Sequence, residues 1–384
     1  MSYEKPSWAD EDHLAIQETA QKFFAAELSP NMDNWRKAGL VDRAFWHKAG
    51  ETGLIGASVP EQYGGIGGPM SFDAMIMLEH ARTGDSGWGV YIQNIVIHYI
   101  LAYGSEKQKK DWLPRLVSGE MIGAIAMTEP GAGSDLQGVR TQAVKQGDHY
   151  VLNGSKTFIS NGQNANLICV VAKTDRSKAA HGISLIMLET DGADGFRRGR
   201  NLEKLGQKAA DTSELFFEDV IIPADHLLGE SEGQGFAQLM TQLPWERLLC
   251  GIYAVGACDL ALRETLTYVS ERKAFGRRIM DLQNTRFKLA ECKTILEVTR
   301  TFIDRCIEKI DQGALDAATA SMAKYWGSEM HCKVMDECLQ LFGGYGYMLE
   351  YPIAHLYADA RVQRIYGGTS EIMKELIARS LEVP

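Results

Sequence analysis

The hydrophobic period changes twice along this chain, and that change restricts the fold more than any single motif does. Residues 1–120 repeat apolar side chains at helical spacing. After a candidate N-cap at Asp10, Ile16, Ala20, Phe23, Phe24 and Leu28 share one helix face. A glycine-rich loop, EQYGGIGGPM (61–70), lies between helices of this region, and Ser105 opens another helix, SEKQKKDWLPRL, with its lysines on a solvated face. Residues 121–228 have a different texture. YVLNGSKTFIS, ANLICVVAKT, GISLIMLET and TSELFFEDVII are short, rich in β-branched and aromatic residues, and separated by Gly, Asn and Asp. Strands at this spacing predict a small antiparallel barrel or sandwich. From 229 to 384 the helical period returns. Leu282, Leu289, Cys292, Leu296, Thr299, Ile303, Cys306 and Ile310 make one apolar stripe. Leu315, Met322, Trp326, Met330, Val334, Cys338 and Leu341 make a second, with Gly313 between the two and Gly343-Gly344 closing the latter. Long helices with short connections predict a bundle. The expected fold is α+β in three domains: N-terminal helical (1–120), middle antiparallel β-barrel or sandwich (121–228) and C-terminal four-helix-bundle-like (229–384).

A chain of 384 residues with a net charge of −10 is poorly suited to nucleic acid or to an anionic membrane surface. No apolar run approaches the length of a membrane span. The start, MSYEKPSWADEDHL, is polar and acidic, unlike a secretory signal or a transit peptide. The expected compartment is the cytoplasm, or the mitochondrial matrix if this is a processed eukaryotic chain. Seven scattered cysteines without a CxxC pair read as reduced core thiols. Patterns for NAD binding, the P-loop, serine hydrolases and zinc proteases are absent, and the nine histidines form no ligand pair, so no metal is expected. His98, in IVIHYIL, reads as a core histidine.

Five stretches remain, each with a plain structural reading beside a functional one. AIAMTEPGAGSD (124–135) runs from a strand into a glycine turn. Either it is only a turn, or its backbone donors, with Thr128 and Ser134, line a phosphate or a polar ring edge. KTFISNG (156–162) puts Phe158 and Ser160 on one side of a strand, which suits core packing or a flat heteroaromatic ring. ERKAFGRRIMDLQ (271–283) is either a solvated helix end or a phosphate-binding arginine cluster. QLFGGYGYMLEYP (340–352) and RIYGGTSEI (364–372) carry glycine pairs that allow close backbone approach to a ligand.

In this order, AMTEPGAGSD, TFISNG, ERKAFGRRIMDLQ, QLFGGYGY and IYGGTSEI resemble the acyl-CoA dehydrogenase family over nearly the whole chain, most like its long-chain members and next its isovaleryl members. The resemblance implies FAD as cofactor, an acyl-CoA substrate oxidised to the trans-2-enoyl-CoA with hydride passing to flavin N5, electron-transfer flavoprotein as electron acceptor, and a homotetramer. It implies that Ile125, Ala126, Met127 and Thr128 line the flavin and that Ser134 faces the CoA part. Phe158, Ile159 and Ser160 would pack near the isoalloxazine. Here Phe158 stands where the family usually has Trp, and Ser160 where it usually has Thr. Arg272, Gln283, Gln340, Leu341, Phe342, Gly343 and Gly344 match residues that reach the FAD of a neighbouring subunit. Thr369, Ser370 and Glu371 match residues near its adenosine-pyrophosphate part.

Gly367 departs from many family members, which carry their catalytic glutamate there. Removal of a thioester α-proton still needs a carboxylate. LPWERLL (243–249) holds Glu246 followed by Arg247, the pattern by which long-chain and isovaleryl members place that glutamate elsewhere. Read without the family, Pro244 marks an early helix position and Glu246 an ordinary helix-start acid. With it, Glu246 is the base, Arg247 holds substrate or helix, and Gly367 and Gly368 offer backbone to the thioester. A flavin-dependent oxidase or monooxygenase of the same fold, and a non-catalytic acyl-CoA or flavin-binding protein, are the alternatives. Acyl length and branching stay open.

Overall fold

A computed structural model describes residues 5–381, and its elements follow the order helices, strands, helices. The N-terminal helices are α1 (Glu11–Phe23), α2 (Met32–Ala38), α3 (Arg43–Glu51), α4 (Met70–Ala81), α5 (Val90–Tyr103) and α6 (Glu106–Val117). Asp10 caps α1 by accepting the His13 N–H at 3.0 Å. The helix then widens into a π turn over Phe24–Leu28, and Phe23 and Phe24, adjacent in sequence, are both buried. Ser105 and Gln108 cap α6 reciprocally. α5 is apolar on nearly every side because it packs against α6, the first strand and the long helix that follows the sheet.

The middle region is one curled sheet of seven strands: β1 (Gly123–Ala126), β2 (Gln142–Gln146), β3 (His149–Ser160), β4 (Leu167–Lys173), β5 (Ile183–Glu189), β6 (Phe196–Asn201) and β7 (Thr212–Pro223). It is antiparallel except at β4, which β1 and the first residue of β2, Gln142, meet in parallel. The long excursion between β1 and β4, which includes the β2–β3 hairpin, supplies the crossover that a parallel pair needs. β4 is buried on both faces. Ile168, Val170 and Ala172 enter the core of the sheet itself, while Leu167, Cys169 and Val171 enter the large core shared with the helices.

The C-terminal part holds α7 (Gly235–Glu271), the short hairpin β8 (Lys273–Ala274) and β9 (Arg277–Arg278), then α8 (Gln283–Asp311), α9 (Ala317–Phe342), α10 (Pro352–Ala360) and α11 (Ser370–Arg379). The apolar stripe expected on α8 is largely buried, from Leu289 through Cys306. The stripe expected on α9 is not the buried one. Ala320, Ala323, Gly327, His331 and Phe342 face inward with Val334 and Cys338, while Trp326 is 37% exposed and Met322 and Met330 are only half-buried. α9 lies so close to α7 that a Cβ on Gly327 would sit 3.2 Å from the Gly251 Cα, so small residues win the interface. Pro244 also departs from expectation. It lies well inside α7, where it cannot donate to the Met240 carbonyl, at a point where Met240 is itself 37% exposed. The basic stretch after α7 is a hairpin rather than a helix end, turning through Phe275 and Gly276 at φ 52° and 76°. Among the described residues no helix is long and apolar enough to cross a membrane.

Candidate active site

α5 and α7 run antiparallel. The Tyr103 hydroxyl reaches the Gln238 carbonyl and the Tyr99 hydroxyl reaches Glu246, eight residues further along α7. Between and beside these helices lies a cavity of about 440 Å³. α7 borders it with Phe236, Met240, Leu243, Glu246, Cys250 and Tyr253, a face that extends roughly 25 Å at the helical rise. α5 adds Tyr91, Ile92 and Ile95. The β1 turn adds Ile125, Met127, Thr128 and Ser134, the end of β3 adds Phe158, Ile159 and Ser160, and the loop before α11 adds Tyr366, Gly367 and Gly368. Residues from three of the five sequence stretches, and Glu246 with Arg247 besides, meet at this one cavity.

Glu246 borders the cavity deep below the protein surface. Burial pushes its carboxyl up to about 7, against the opposing pull of the Tyr99 hydroxyl and the Arg247 charge. The Tyr99 Oη donates to Glu246 Oε1 at 2.8 Å. Arg247 is buried and donates from Nη1 to Ser321 Oγ at 3.3 Å, so it ties α7 to α9 rather than pairing with its neighbour. A carboxyl that ionises near neutral pH beside an apolar cavity is suited to proton abstraction.

On the same cavity, Gly367 and Gly368 have φ of 63° and 94°. Only glycine takes such a pair without strain, which accounts for the missing side chain. A Cβ at 367 would lie 3.7 Å from Cys250 Sγ, one turn along α7 from Glu246. The loop is held from behind, because the buried Lys324 of α9 donates from Nζ to the Gly368 carbonyl at 2.5 Å. Among the described residues the Gly367 N–H has no partner. Thr369 caps α11 by accepting the Ile372 N–H, Ser370 is buried against Glu329, and Glu371 is exposed in the first turn.

On the sheet side, Thr157 N–H donates to the Thr128 carbonyl at 2.9 Å. The buried Lys156 donates to the Met127 carbonyl at 3.0 Å and to Glu129 at 2.8 Å. Glu129 also accepts the N–H groups of Arg140 and Thr141, so one buried carboxylate fixes the whole turn. Ala126 points into the sheet core and does not border the cavity. Simple alternation along β3 does not place Phe158. A bulge intervenes between Lys156 and Ile159, and Phe158 takes φ 60°, which leaves its ring 67% exposed at the cavity. An exposed aromatic ring, a turn of fixed backbone groups and the hydroxyls of Thr128 and Ser160 form a cradle that fits a flat heteroaromatic group such as a flavin.

Arg272, Gln283, Gln340, Leu341, Phe342, Gly343 and Gly344 do not border the cavity. Arg272 and Phe342 pack at the far ends of α7 and α9. Arg272 ends α7 with its guanidinium 5.4 Å above the Tyr345 ring, and Tyr268 stacks on Phe342 and donates to its carbonyl. The surroundings are exposed and apolar, with Phe275 94% and Tyr347 83% accessible. Three functional neighbours escaped the sequence reading: Tyr99, Lys324 and the Glu129–Lys156 pair. Lys156 alone had a signal, as a lysine at an inward strand position calls for a buried partner.

Models of the acyl-CoA dehydrogenase N-terminal, middle and C-terminal domains match residues 10–120, 124–220 and 233–382. The chain belongs to the acyl-CoA dehydrogenase family. It is 51% identical over 373 residues to the mitochondrial long-chain specific acyl-CoA dehydrogenase of Mus musculus, covering 96% of this chain and 86% of that one. It is 34% identical over 383 residues to the mitochondrial isovaleryl-CoA dehydrogenase of Pongo abelii, covering 96% and 88%. The crystal structure of an acyl-CoA dehydrogenase from Geobacillus kaustophilus superposes with a TM-score of 0.96 at 46% identity, covering 99% of this chain and all of that one. The resemblance carried by the five motifs therefore holds, with long-chain relatives ahead of isovaleryl ones. Members of the family are FAD flavoproteins, and the chain is an oxidoreductase of fatty-acid oxidation with FAD as cofactor.

Proposed function

We propose that this protein converts an acyl-CoA thioester to its trans-2-enoyl-CoA, with Glu246 as the base that removes the α-proton. The observation that carries the reading is the placement of Glu246 and Gly367 on one cavity, with Cys250 between them. FAD, when bound, supplies the acceptor for the β-hydride. Ile125, Met127, Thr128, Phe158, Ile159 and Ser160 would hold its ring system, and Thr369, Ser370 and Glu371 its pyrophosphate side. Arg272, Gln283 and the residues 340–344 would reach the FAD of a neighbouring copy in a homotetramer, which suits their position away from this chain's own cavity.

The thioester oxygen gains negative charge as the α-proton leaves. The free Gly367 N–H is a fixed donor for it, in a site where water is scarce and such a bond is strong. Lys324 anchors the same loop two peptide units further on, by holding the Gly368 carbonyl. Ser134, Arg247 and Gly368 complete the substrate side. The apolar wall along α5 and α7 suits a long acyl chain, and the long-chain relatives favour the same class. Electrons would pass on to an electron-transfer flavoprotein, in the cytoplasm or a mitochondrial matrix.

The test is anaerobic flavin bleaching by a series of acyl-CoAs, straight and branched, from short to long. Wild type should bleach fastest with the longer chains. Glu246→Gln should retain FAD and bleach on the order of 10²- to 10⁴-fold more slowly. Bleaching at the wild-type rate in that variant would remove Glu246 from the mechanism.

A further inference from the structure

The hydroxyl of Tyr99 is buried in the core, and its one partner among the described residues is Glu246 Oε1, at 2.8 Å. A buried phenol needs an acceptor, and a carboxylate beside an apolar cavity needs a donor. The dependence runs both ways, because no salt bridge and no backbone N–H reaches the Glu246 carboxylate among the described residues. The groups that face it from each packed element are few. α5 contributes Tyr99, with His98 lying against Trp245. α7 contributes Arg247, which is bonded to Ser321, and Cys250. β4 contributes Cys169, and α9 contributes Lys324 beyond Cys250. Burial pushes the thiols of Cys169 and Cys250 up to about 12 and about 11, so both stay neutral and offer no charge to the carboxylate.

We infer that Tyr99 is a positioning residue for Glu246: its hydroxyl fixes one carboxylate oxygen along α5, leaves the other toward the cavity, and sets the pH at which the carboxylate ionises. The effect on rate rests on Glu246 being the base, whereas the effect on ionisation does not. A phenol that donates to a carboxylate favours its charged form. Without that donor the carboxyl keeps its proton to higher pH, and less base is present near neutrality. The expected rise in midpoint is about 1 to 2 pH units, the worth of a hydrogen bond to a charged group. At pH 7 that is a loss of roughly 5- to 50-fold in base, and the loss should shrink as pH is raised. A ring that merely fills space would lower the rate equally at every pH.

The experiment uses the FAD-loaded protein. The Glu246 carboxyl stretch is followed by infrared titration, identified as the band missing from Glu246→Gln, and flavin bleaching is followed over the same pH range. Tyr99→Phe should move the infrared midpoint upward. Tyr103→Phe, one turn along α5 with its hydroxyl on the Gln238 carbonyl, should leave the midpoint in place. Site-specific 3-fluorotyrosine at 99, a more acidic donor, should move it downward, and this holds even if Tyr99→Phe does not fold. An unmoved midpoint with both changes at 99 overturns the inference. If the infrared midpoint moves while the bleaching profile follows none of it, Glu246 is not the base, and the proposed function fails while the Tyr99 contact stands.

Discussion

Glu246 borders the cavity and Glu129 sits behind the turn that lines it, and their surroundings send the two in opposite directions. Around Glu129, burial pushes the carboxyl up, but the Lys156 charge and the donors from Lys156 and Thr141 overcome it and hold the group below its ordinary range. Around Glu246, burial also pushes up, and the Tyr99 donor and the Arg247 charge offset only part of it, so the carboxyl ends at about 7. The residue type is the same. The count of donors and the presence of a paired cation decide the outcome. A carboxylate that is satisfied on all sides is scaffold, fixing the turn at 127–134. A carboxylate with one neutral donor and an apolar cavity before it has affinity left for a substrate proton.

The comparison breaks most visibly if the two are neutralised in turn. Glu129→Gln leaves Lys156 buried without its counter-charge, and removal of one partner from a buried pair costs about 3–5 kcal/mol. Denaturant unfolding should record that loss, together with weaker FAD retention. The pH dependence of bleaching in whatever holoprotein remains should be unchanged, because Glu246 is untouched. Wild-type stability in Glu129→Gln would mean that the pair is incidental.

A somewhat smaller effect of opposite sign is expected at the other glutamate. The folded Glu246 carboxyl binds its proton more tightly than the ordinary value of 4.5 allows, so between about 4.5 and about 7 the folded state holds more protons than the unfolded one. Stability is therefore lost as pH rises through that window. Glu246→Gln lacks this loss. It should be more stable than wild type by roughly 3 kcal/mol at pH 8, and by nothing below pH 4.5. Unfolding curves at the two pH values check the sign. Equal stabilities at pH 8 would show that the wild-type carboxylate is far better solvated than its position implies.

Much of the architecture could be read from the order of periods, and α8 came with its buried face legible because that face is made of large apolar residues. α9 did not, because Ala323 and Gly327 face α7 and carry no hydrophobic signal, whereas Trp326, the most conspicuous residue, points out. Pro244 misled for a related reason, as a proline deep inside a long helix looks like a helix start when only its neighbours are read. At the site, the glycines of the 367–368 loop and the Glu246-Arg247 pair could be found because each lies within a short motif. Tyr99 could not. It is 147 positions from Glu246, on a helix where every other turn also carries an apolar or aromatic residue. Lys324 and Gly368 are 44 apart and meet only because α9 passes behind the loop. Chemistry carried by one local stretch was visible; chemistry made by two distant stretches waited for the fold.

In this site Glu246, and no group on the 367–368 loop, is proposed to take the substrate α-proton. A 3-thiaacyl-CoA isolates that step, since sulfur at the β position leaves no hydride to give up. The measurement is exchange of its α-protons with deuterated solvent, followed by NMR on FAD-loaded wild type and Glu246→Gln. Wild type should exchange at a rate that climbs with pH through about 7, and above that pH the variant should be slower on the order of 10²- to 10⁴-fold, the gap narrowing as pH falls. Exchange in Glu246→Gln at the wild-type rate would contradict the assignment and place the base elsewhere on the cavity wall.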